Sequence, residues 1–177
     1  FQIVIPKFLF LQVGTGTPLA NNTAIDLIEF NPLVTQVGSG TALNGTGGDL
    51  GAGAVTARVL GNGFGSTAVN LTATTPGALS NGSGGTIPWS EIILASAPTA
   101  ITVVPAAASV LPHPGTTAIP FANSGATTAS LTPVGGVINQ AAKWTFQYKN
   151  TGVPPAGTYG GTTTANNGQV VYTIALP

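Results

Sequence analysis

His113 and four carboxylates are the side chains of this sequence that could carry acid–base chemistry. His113 is the only histidine, and it stands between two prolines in a predicted turn. A Ser-His-Asp site would need Asp26 or Asp49 to approach this ring, and nothing in the sequence brings either of them close. We therefore expect His113 to be a solvated surface residue and not a catalytic base.

The four carboxylates also fail to form a recognisable site. Asp26 and Glu29 are three positions apart in a predicted strand, where such positions face opposite sides, so they do not pair as acid and base. With Asp49 and Glu91 they could form a Ca²⁺ cluster. The favoured interpretation is solubilising charge on exposed strand faces. We expect no enzyme activity, no catalytic or metal-binding residue and no cofactor.

Charge is scarce throughout the chain. Only 5% of its 177 residues are charged, and the net charge is zero. Four cations cannot make the basic face that a nucleic acid requires. An uncharged surface favours packing against copies of the same chain, and the alternative is a secreted domain kept soluble by Thr, Asn and glycans. Glycosylation sequons occur at Asn21, Asn44, Asn70 and Asn81.

Export is expected, but no membrane span is. Residues 92–112 carry no charge, yet Pro98, Pro105 and Pro112 interrupt them, so they do not form a spanning helix. No basic segment precedes Phe1, which predicts that a signal peptide has already been removed. The chain has no cysteine, so its fold uses no disulfide.

Strand patterns recur between Gly, Pro and Asn, and helical periodicity is nearly missing, which predicts an all-β fold in one domain. Trp144, Phe146 and Tyr148 alternate with polar residues and predict a buried face. The predicted strands are Phe1–Val13, Ala24–Phe30, Leu33–Val37, Ala54–Leu60, Ala68–Ala73, Thr86–Leu94, Ala100–Val104, Lys143–Lys149 and Gln169–Leu176, with shorter ones at Thr117–Phe121, Thr127–Leu131 and Gly136–Asn139.

The first 13 residues form the most apolar segment. Phe1, Ile3 and Ile5 alternate with Gln2 and Val4, and residues 8–11 are apolar on both faces. A flexible Gly-Thr hinge is predicted at residues 14–17. The segment is either the first strand of its own domain, residues 14–177, or a donor strand that completes the sheet of a neighbouring copy.

The C-terminal end resembles a known family. Residues 155–161 (PAGTYGG) followed by Gln169–Leu176 resemble the last turn and strand of chaperone–usher pilins, in particular the cysteine-free alternate and archaic branches and the spore-coat-U-like domains. The resemblance implies an immunoglobulin-like antiparallel β-sandwich that lacks one strand and is completed by the N-terminal segment of the next subunit. Such pilins usually carry a donor segment separate from their first strand, whereas here Phe1–Val13 must serve as one or the other unless residues precede Phe1.

The resemblance further implies a subunit of an extracellular, cell-surface pilus that acts in adhesion or biofilm formation. Its partners would be copies of itself, with a periplasmic chaperone and an outer-membrane usher during assembly. The expected core anchors are Trp144, Tyr159 and Tyr172. The expected donor or groove residues are Phe1, Ile3, Ile5, Phe8 and Phe10.

Two other functions fit the strand pattern. A secreted monomeric adhesin or carbohydrate-binding sandwich would use an exposed Trp89 as its sugar platform, although a core tryptophan is the favoured interpretation of that residue. A jelly-roll capsid protein is disfavoured because the chain lacks a basic surface to face a genome.

Overall fold

The fold is all-β, as predicted. The computed structural model describes residues 1–99 and 105–175. The strands of this part of the chain are β1 (Leu9–Val13), β2 (Ile28–Glu29), β3 (Leu43–Asn44), β4 (Thr46–Gly47), β5 (Ala54–Asn62), β6 (Val69–Thr75), β7 (Leu79–Ser80), β8 (Thr86–Ile87), β9 (Ile92–Ala97), β10 (Ser109–Val110), β11 (Gly125–Leu131), β12 (Val137–Tyr148) and β13 (Val171–Ile174). Two 3₁₀ turns lie at Trp89–Glu91 and Thr164–Asn166.

The larger sheet is built around β5 and β12, which pair antiparallel from Ala54 to Asn62. On its other side β5 pairs antiparallel with β1, which is the outermost strand at that edge. β12 in turn carries β9 antiparallel and β10 parallel, and it pairs with the short β3 beyond the end of β5. Both faces of β5 are buried, so this strand lies at the centre of the protein.

The smaller sheet has three antiparallel strands in the order β11-β6-β13. In β6 the inward positions Val69, Leu71 and Ala73 are buried, whereas Asn70 is exposed between them. The inward faces of both sheets contribute to one hydrophobic cluster, which includes Val59 of β5 and Trp144 of β12. The alternation of buried and exposed residues along β6 is the pattern of a strand with one buried face.

The strands with strict alternation were predicted well. The predicted strands Ala54–Leu60, Ala68–Ala73 and Thr127–Leu131 are present as β5, β6 and β11. The predicted strands Gly136–Asn139 and Lys143–Lys149 form one continuous strand, β12. The predicted C-terminal strand is observed as β13, and its last residue, 176, lies outside the described residues, as does the predicted strand 100–104.

Several other strand predictions were wrong. Residues 33–37 form a turn, because Val37 N–H donates to Leu33 C=O and Gln36 Oε1 accepts from Leu33 N–H. The predicted strand Thr86–Leu94 is divided at Pro88, where the 3₁₀ turn begins. Of the predicted strands Phe1–Val13 and Ala24–Phe30, only β1 and β2 are strands, and residues 117–121 form none.

Candidate functional site: an apolar groove between two sheet edges

A groove of about 560 Å³ opens between the two sheets. Leu11 and Val13 of β1 line one wall, and Val171 and Tyr172 of β13 line the other. The remaining apolar lining comes from residues 24–30, which include Ile28 and Phe30, and from the core face and nearby loops: Val55, Leu79, Trp89, Ile92, Phe121, Phe146 and Val170. The floor of the groove is thus formed by core side chains that are themselves buried, such as Trp89, Ile92 and Phe121.

Both walls of the groove are sheet edges. β1 pairs with β5 on one side only, and β13 pairs with β6 on one side only. Within residues 1–99 and 105–175 no strand pairs with the other side of either. An unpaired edge presents a row of backbone N–H and C=O groups that can pair with an added strand. An apolar floor between two such edges suits an extended apolar segment.

The N-terminal segment of the same chain is apolar and lies outside the sheets. Phe1, Ile3 and Ile5 are exposed, with relative exposures of 134%, 86% and 74%. Asn62 fixes the point where the segment joins the domain, because its side chain accepts from Phe8 N–H at 2.9 Å and donates to Pro6 C=O at 3.0 Å. The residues before Pro6 have no strand partner in the described structure.

The five predicted donor residues therefore divide into two groups. Phe1, Ile3 and Ile5 lie in the exposed segment, whereas Phe8 and Phe10 are partly buried. Phe10 belongs to β1 and pairs with Leu60 of its own domain. Of the two alternatives left by the sequence, residues 9–13 thus form a strand of their own sheet, and residues 1–7 remain unpaired.

The predicted core anchors also divide. Trp144 is completely buried at the centre of the hydrophobic cluster. Tyr172 packs against that cluster from β13, and its pKa is raised by burial. Tyr159 is partly exposed and lies outside the cluster, with its hydroxyl donating to Pro155 C=O at 2.6 Å. That bond closes the PAGTY turn.

His113 is buried, so the prediction of a solvated surface residue was wrong. Its ring lies edge-on to Trp144 at 4.7 Å and to Phe121 at 5.2 Å between centroids. Nδ1 accepts from Gly115 N–H at 3.0 Å, so Nε2 carries the proton and donates to the Tyr172 hydroxyl at 2.9 Å. Burial lowers the His113 pKa to about 4. The neutral His113 ring thus holds Tyr172, which lines the groove.

Three of the four carboxylates accept hydrogen bonds from backbone N–H groups. Asp26 accepts from Thr15, Asp49 accepts from Thr56 N–H at 2.8 Å, and Glu91 accepts from Thr151 N–H at 2.9 Å. Among the described residues no group of three or more His, Asp or Glu could hold a metal ion. Asp26, Asp49 and Glu91 thus hold backbone segments in place.

Arg58 departs from the expectation that charge lies on exposed faces. Its side chain is completely buried on the outer face of β5. Nη2 donates to Pro105 C=O at 3.0 Å, whereas Nε and Nη1 have no hydrogen-bond partner among the described residues. Desolvation by burial lowers the Arg58 pKa. Strand alternation placed this residue opposite Val59 but could not show that the second face is covered.

Trp89 does not offer a platform for a sugar. It is 6% exposed, its indole N–H donates to Gly77 C=O at 2.7 Å, and its ring meets Phe121 edge-on at 5.0 Å. The core interpretation of Trp89 is therefore confirmed, and a sugar platform at this residue is excluded.

The comparisons with known proteins leave the site to be interpreted from its own residues. No family model, no curated protein and no solved structure matches the chain. In the part of the chain that the structure describes, no helix has the length and apolar character needed to cross a membrane. Sequence reasoning identified the apolar segment, and the resemblance to chaperone–usher pilins implied a sandwich open to one added strand, but neither indicated that β1 and β13 line the groove.

Proposed function

We propose that this chain is a structural subunit of an extracellular filament, in which the N-terminal segment of one copy enters the groove of the next. The observation that carries the proposal is the presence, in one chain, of an apolar groove between two unpaired strand edges and of an exposed apolar segment. In this proposal the two sheets form an immunoglobulin-like sandwich that is one strand short, and the added segment supplies that strand.

The dimensions of the two parts agree. Residues 1–5 in extended form span about 17 Å, at roughly 3.3 Å per residue, and β1 has the same number of residues. Phe1, Ile3 and Ile5 would point to one side, toward the groove floor, while Gln2 and Val4 face outward. Burial of three large apolar side chains contributes about 5–9 kcal/mol before the entropy cost of association.

The symmetry of the contact favours a filament. The donor segment and the acceptor groove are different surfaces, so each copy donates once and accepts once. Such a head-to-tail contact generates open chains unless its rotation closes a ring. By the resemblance to chaperone–usher pilins, we propose that a periplasmic chaperone and an outer-membrane usher assist assembly and that the filament serves adhesion or biofilm formation at the cell surface.

The test compares charge on the two faces of the segment. We expect the Ile3→Asp, Ile5→Asp double variant to remain monomeric in sedimentation velocity and to form no filament in negative-stain images, because two carboxylates would be buried without partners. The control is Gln2→Asp, Val4→Asp, which adds the same charge on the outward face and is expected to retain filaments.

Two results would overturn the proposal. Filaments that persist in Ile3→Asp, Ile5→Asp would show that the segment is not the donor. A wild-type chain that stays monomeric at all concentrations would favour a monomeric binding module instead. Both double variants are expected to unfold at the same temperature as the wild type, because residues 1–5 take no part in the domain's sheets. A difference in filament formation then reflects association and not folding.

A further inference from the structure

A short segment, residues 21–27, crosses the mouth of the groove, and we call it the strap. Asn22, Ile25 and Leu27 of the strap all line the groove. The strap nevertheless fills the groove poorly, because Ile25 is 59% exposed and Leu27 is 40% exposed. It has no strand pairing of its own before β2 begins at Ile28.

The strap is held at one residue, Thr15, through Asn22 near its start and Asp26 near its end. The Asp26 carboxylate accepts from Thr15 N–H at 2.5 Å and from the Thr15 hydroxyl at 2.8 Å, and the Asn22 amide donates to Thr15 C=O. Gly14 makes this approach possible, since its φ is +80° and a Cβ at this position would lie 1.9 Å from Asp26 Oδ2. We call this contact the latch. Residues 14–17, expected to be a hinge, are thus the latch's anchoring turn.

Leu27, the residue that follows Asp26, attaches the strap to the domain independently of Thr15. Leu27 C=O accepts from Gly48 N–H at 3.1 Å, and Ile28 and Glu29 pair with β4. No backbone hydrogen bond within residues 1–99 and 105–175 joins the strap to β1 or β13. The strap covers the groove while leaving both of its edges free for a strand.

We infer that the strap is a displaceable cover whose latch, Asp26 on Thr15, limits the rate at which a second copy's N-terminal segment enters the groove. The inference rests on the proposed function, because it concerns the same groove. Opening the latch removes a charge-assisted pair of hydrogen bonds and swings residues 21–26 away about the fixed point at Leu27. A cover of this kind would protect the apolar groove before assembly and yield to the correct segment.

The experiment measures entry of a peptide into the groove. The acceptor is the full chain with Ile3→Asp and Ile5→Asp, which leaves its groove free of other copies, and the probe is a fluorescein-labelled peptide of residues 1–7. Asp26→Asn weakens the latch, and we expect the association rate to rise about tenfold, as for the loss of a charge-assisted hydrogen bond. The matched control is Glu29→Gln, which neutralises an exposed carboxylate just beyond the strap and is expected to leave the rate unchanged.

A second variant closes the latch covalently. The chain has no cysteine, so Thr15→Cys with Asp26→Cys introduces the only thiols, to be joined by a disulfide or a short bis-thiol crosslinker. With the disulfide, we expect peptide entry to be strongly slowed and then restored by reductant. This variant tests the strap even if Asp26→Asn lowers the stability of the domain.

The outcomes separate the two proposals. If the peptide enters the groove equally fast in the wild-type-latch, Asp26→Asn and crosslinked acceptors, the strap is not a cover and the inference is overturned, while the groove remains an acceptor. If the peptide binds none of the acceptors, the proposed function itself is wrong. Faster entry in Glu29→Gln than in Asp26→Asn would also contradict the latch, since it would assign the effect to net charge.

Discussion

At the scale of single residues, His113 shows how an isolated titratable group can serve structure. Four aromatic rings surround it, and its two nitrogens are used by Gly115 N–H and the Tyr172 hydroxyl. Protonation would place a charge in this apolar cage and would turn Nδ1 from an acceptor into a second donor facing an N–H group. The neutral ring is therefore the form compatible with the fold.

This environment predicts a defined pH dependence of stability. The folded pKa of His113 is about 4 and its ordinary value is 6.5, so between these values the unfolded chain binds more protons than the folded one. The contribution is fully present above pH 6.5 and is lost as the pH falls from 6.5 toward 4. We expect the free energy of unfolding to fall by about 3 kcal/mol over this window in urea titrations.

The control is His113→Phe, which keeps a ring among the aromatic neighbours and removes the titration. The variant will be less stable at neutral pH, because Gly115 N–H and the Tyr172 hydroxyl lose a partner. Its stability should nevertheless depend less on pH than that of the wild type, and the four carboxylates contribute alike to both proteins. Parallel pH profiles for the two proteins would rule out His113 as the source.

At the scale of the elements, alternation of apolar residues marked several strands that were confirmed, but it was not sufficient, since Phe1, Ile3 and Ile5 alternate and form no strand in the domain. β5, β6 and the end of β12 carry apolar residues at every second position, as in Trp144, Phe146 and Tyr148, and this pattern does not depend on distant contacts. Other strands that were predicted from apolar content are not formed where their residues make hydrogen bonds in place of strand pairing. In residues 24–30, the Asp26 carboxylate binds Thr15, and only Ile28 and Glu29 remain in a strand.

The groove could be predicted only in part from the sequence. The sequence shows the exposed segment and the last strand, but a groove depends on which strands end at a sheet edge. That pairing brings Leu11 near Tyr172, two residues at opposite ends of the chain. The burial of Arg58 and of His113 depends likewise on residues distant in the sequence, such as Pro105 and Tyr172, and no local pattern records such contacts.

The turn formed by residues 33–40 provides an element-scale prediction. Asn150, just after β12, is completely buried at φ +59°, and its side chain accepts from Gly38 N–H and donates to Gln36 C=O. We expect Asn150→Ala to lower the free energy of unfolding by about 3–5 kcal/mol, from the lost bonds and the left-handed backbone.

Asn150→Gly separates the two causes, since glycine adopts the left-handed conformation without strain and lacks the amide. It should be more stable than Asn150→Ala by about 1 kcal/mol in urea denaturation. Equal stabilities would mean that the backbone conformation contributes nothing, and a wild-type stability of either variant would mean that the amide does not hold the turn.

At the scale of the whole molecule, the scarcity of charge has a structural counterpart. Asp26, Asp49 and Glu91 each accept a hydrogen bond from a threonine of the domain, and Arg58 is buried. The exposed side chains around the groove and along the N-terminal segment are largely uncharged, with Lys7 as the one charged residue among the first 13. Association through these surfaces would depend on apolar burial and backbone pairing, with little contribution from ion pairs.

The proposed contact should therefore be insensitive to ionic strength. Between about 0.1 M and 1 M NaCl the Debye length falls from about 10 Å to about 3 Å, which would weaken a contact made by exposed charges. We expect the degree of assembly in sedimentation velocity to stay the same across this range, and to rise in sodium sulfate, which strengthens apolar burial. Lys7→Gln serves as the control and should assemble like the wild type. A steep loss of assembly with NaCl, abolished by Lys7→Gln, would instead assign the contact to the charge of Lys7 and contradict an apolar strand seated in the groove.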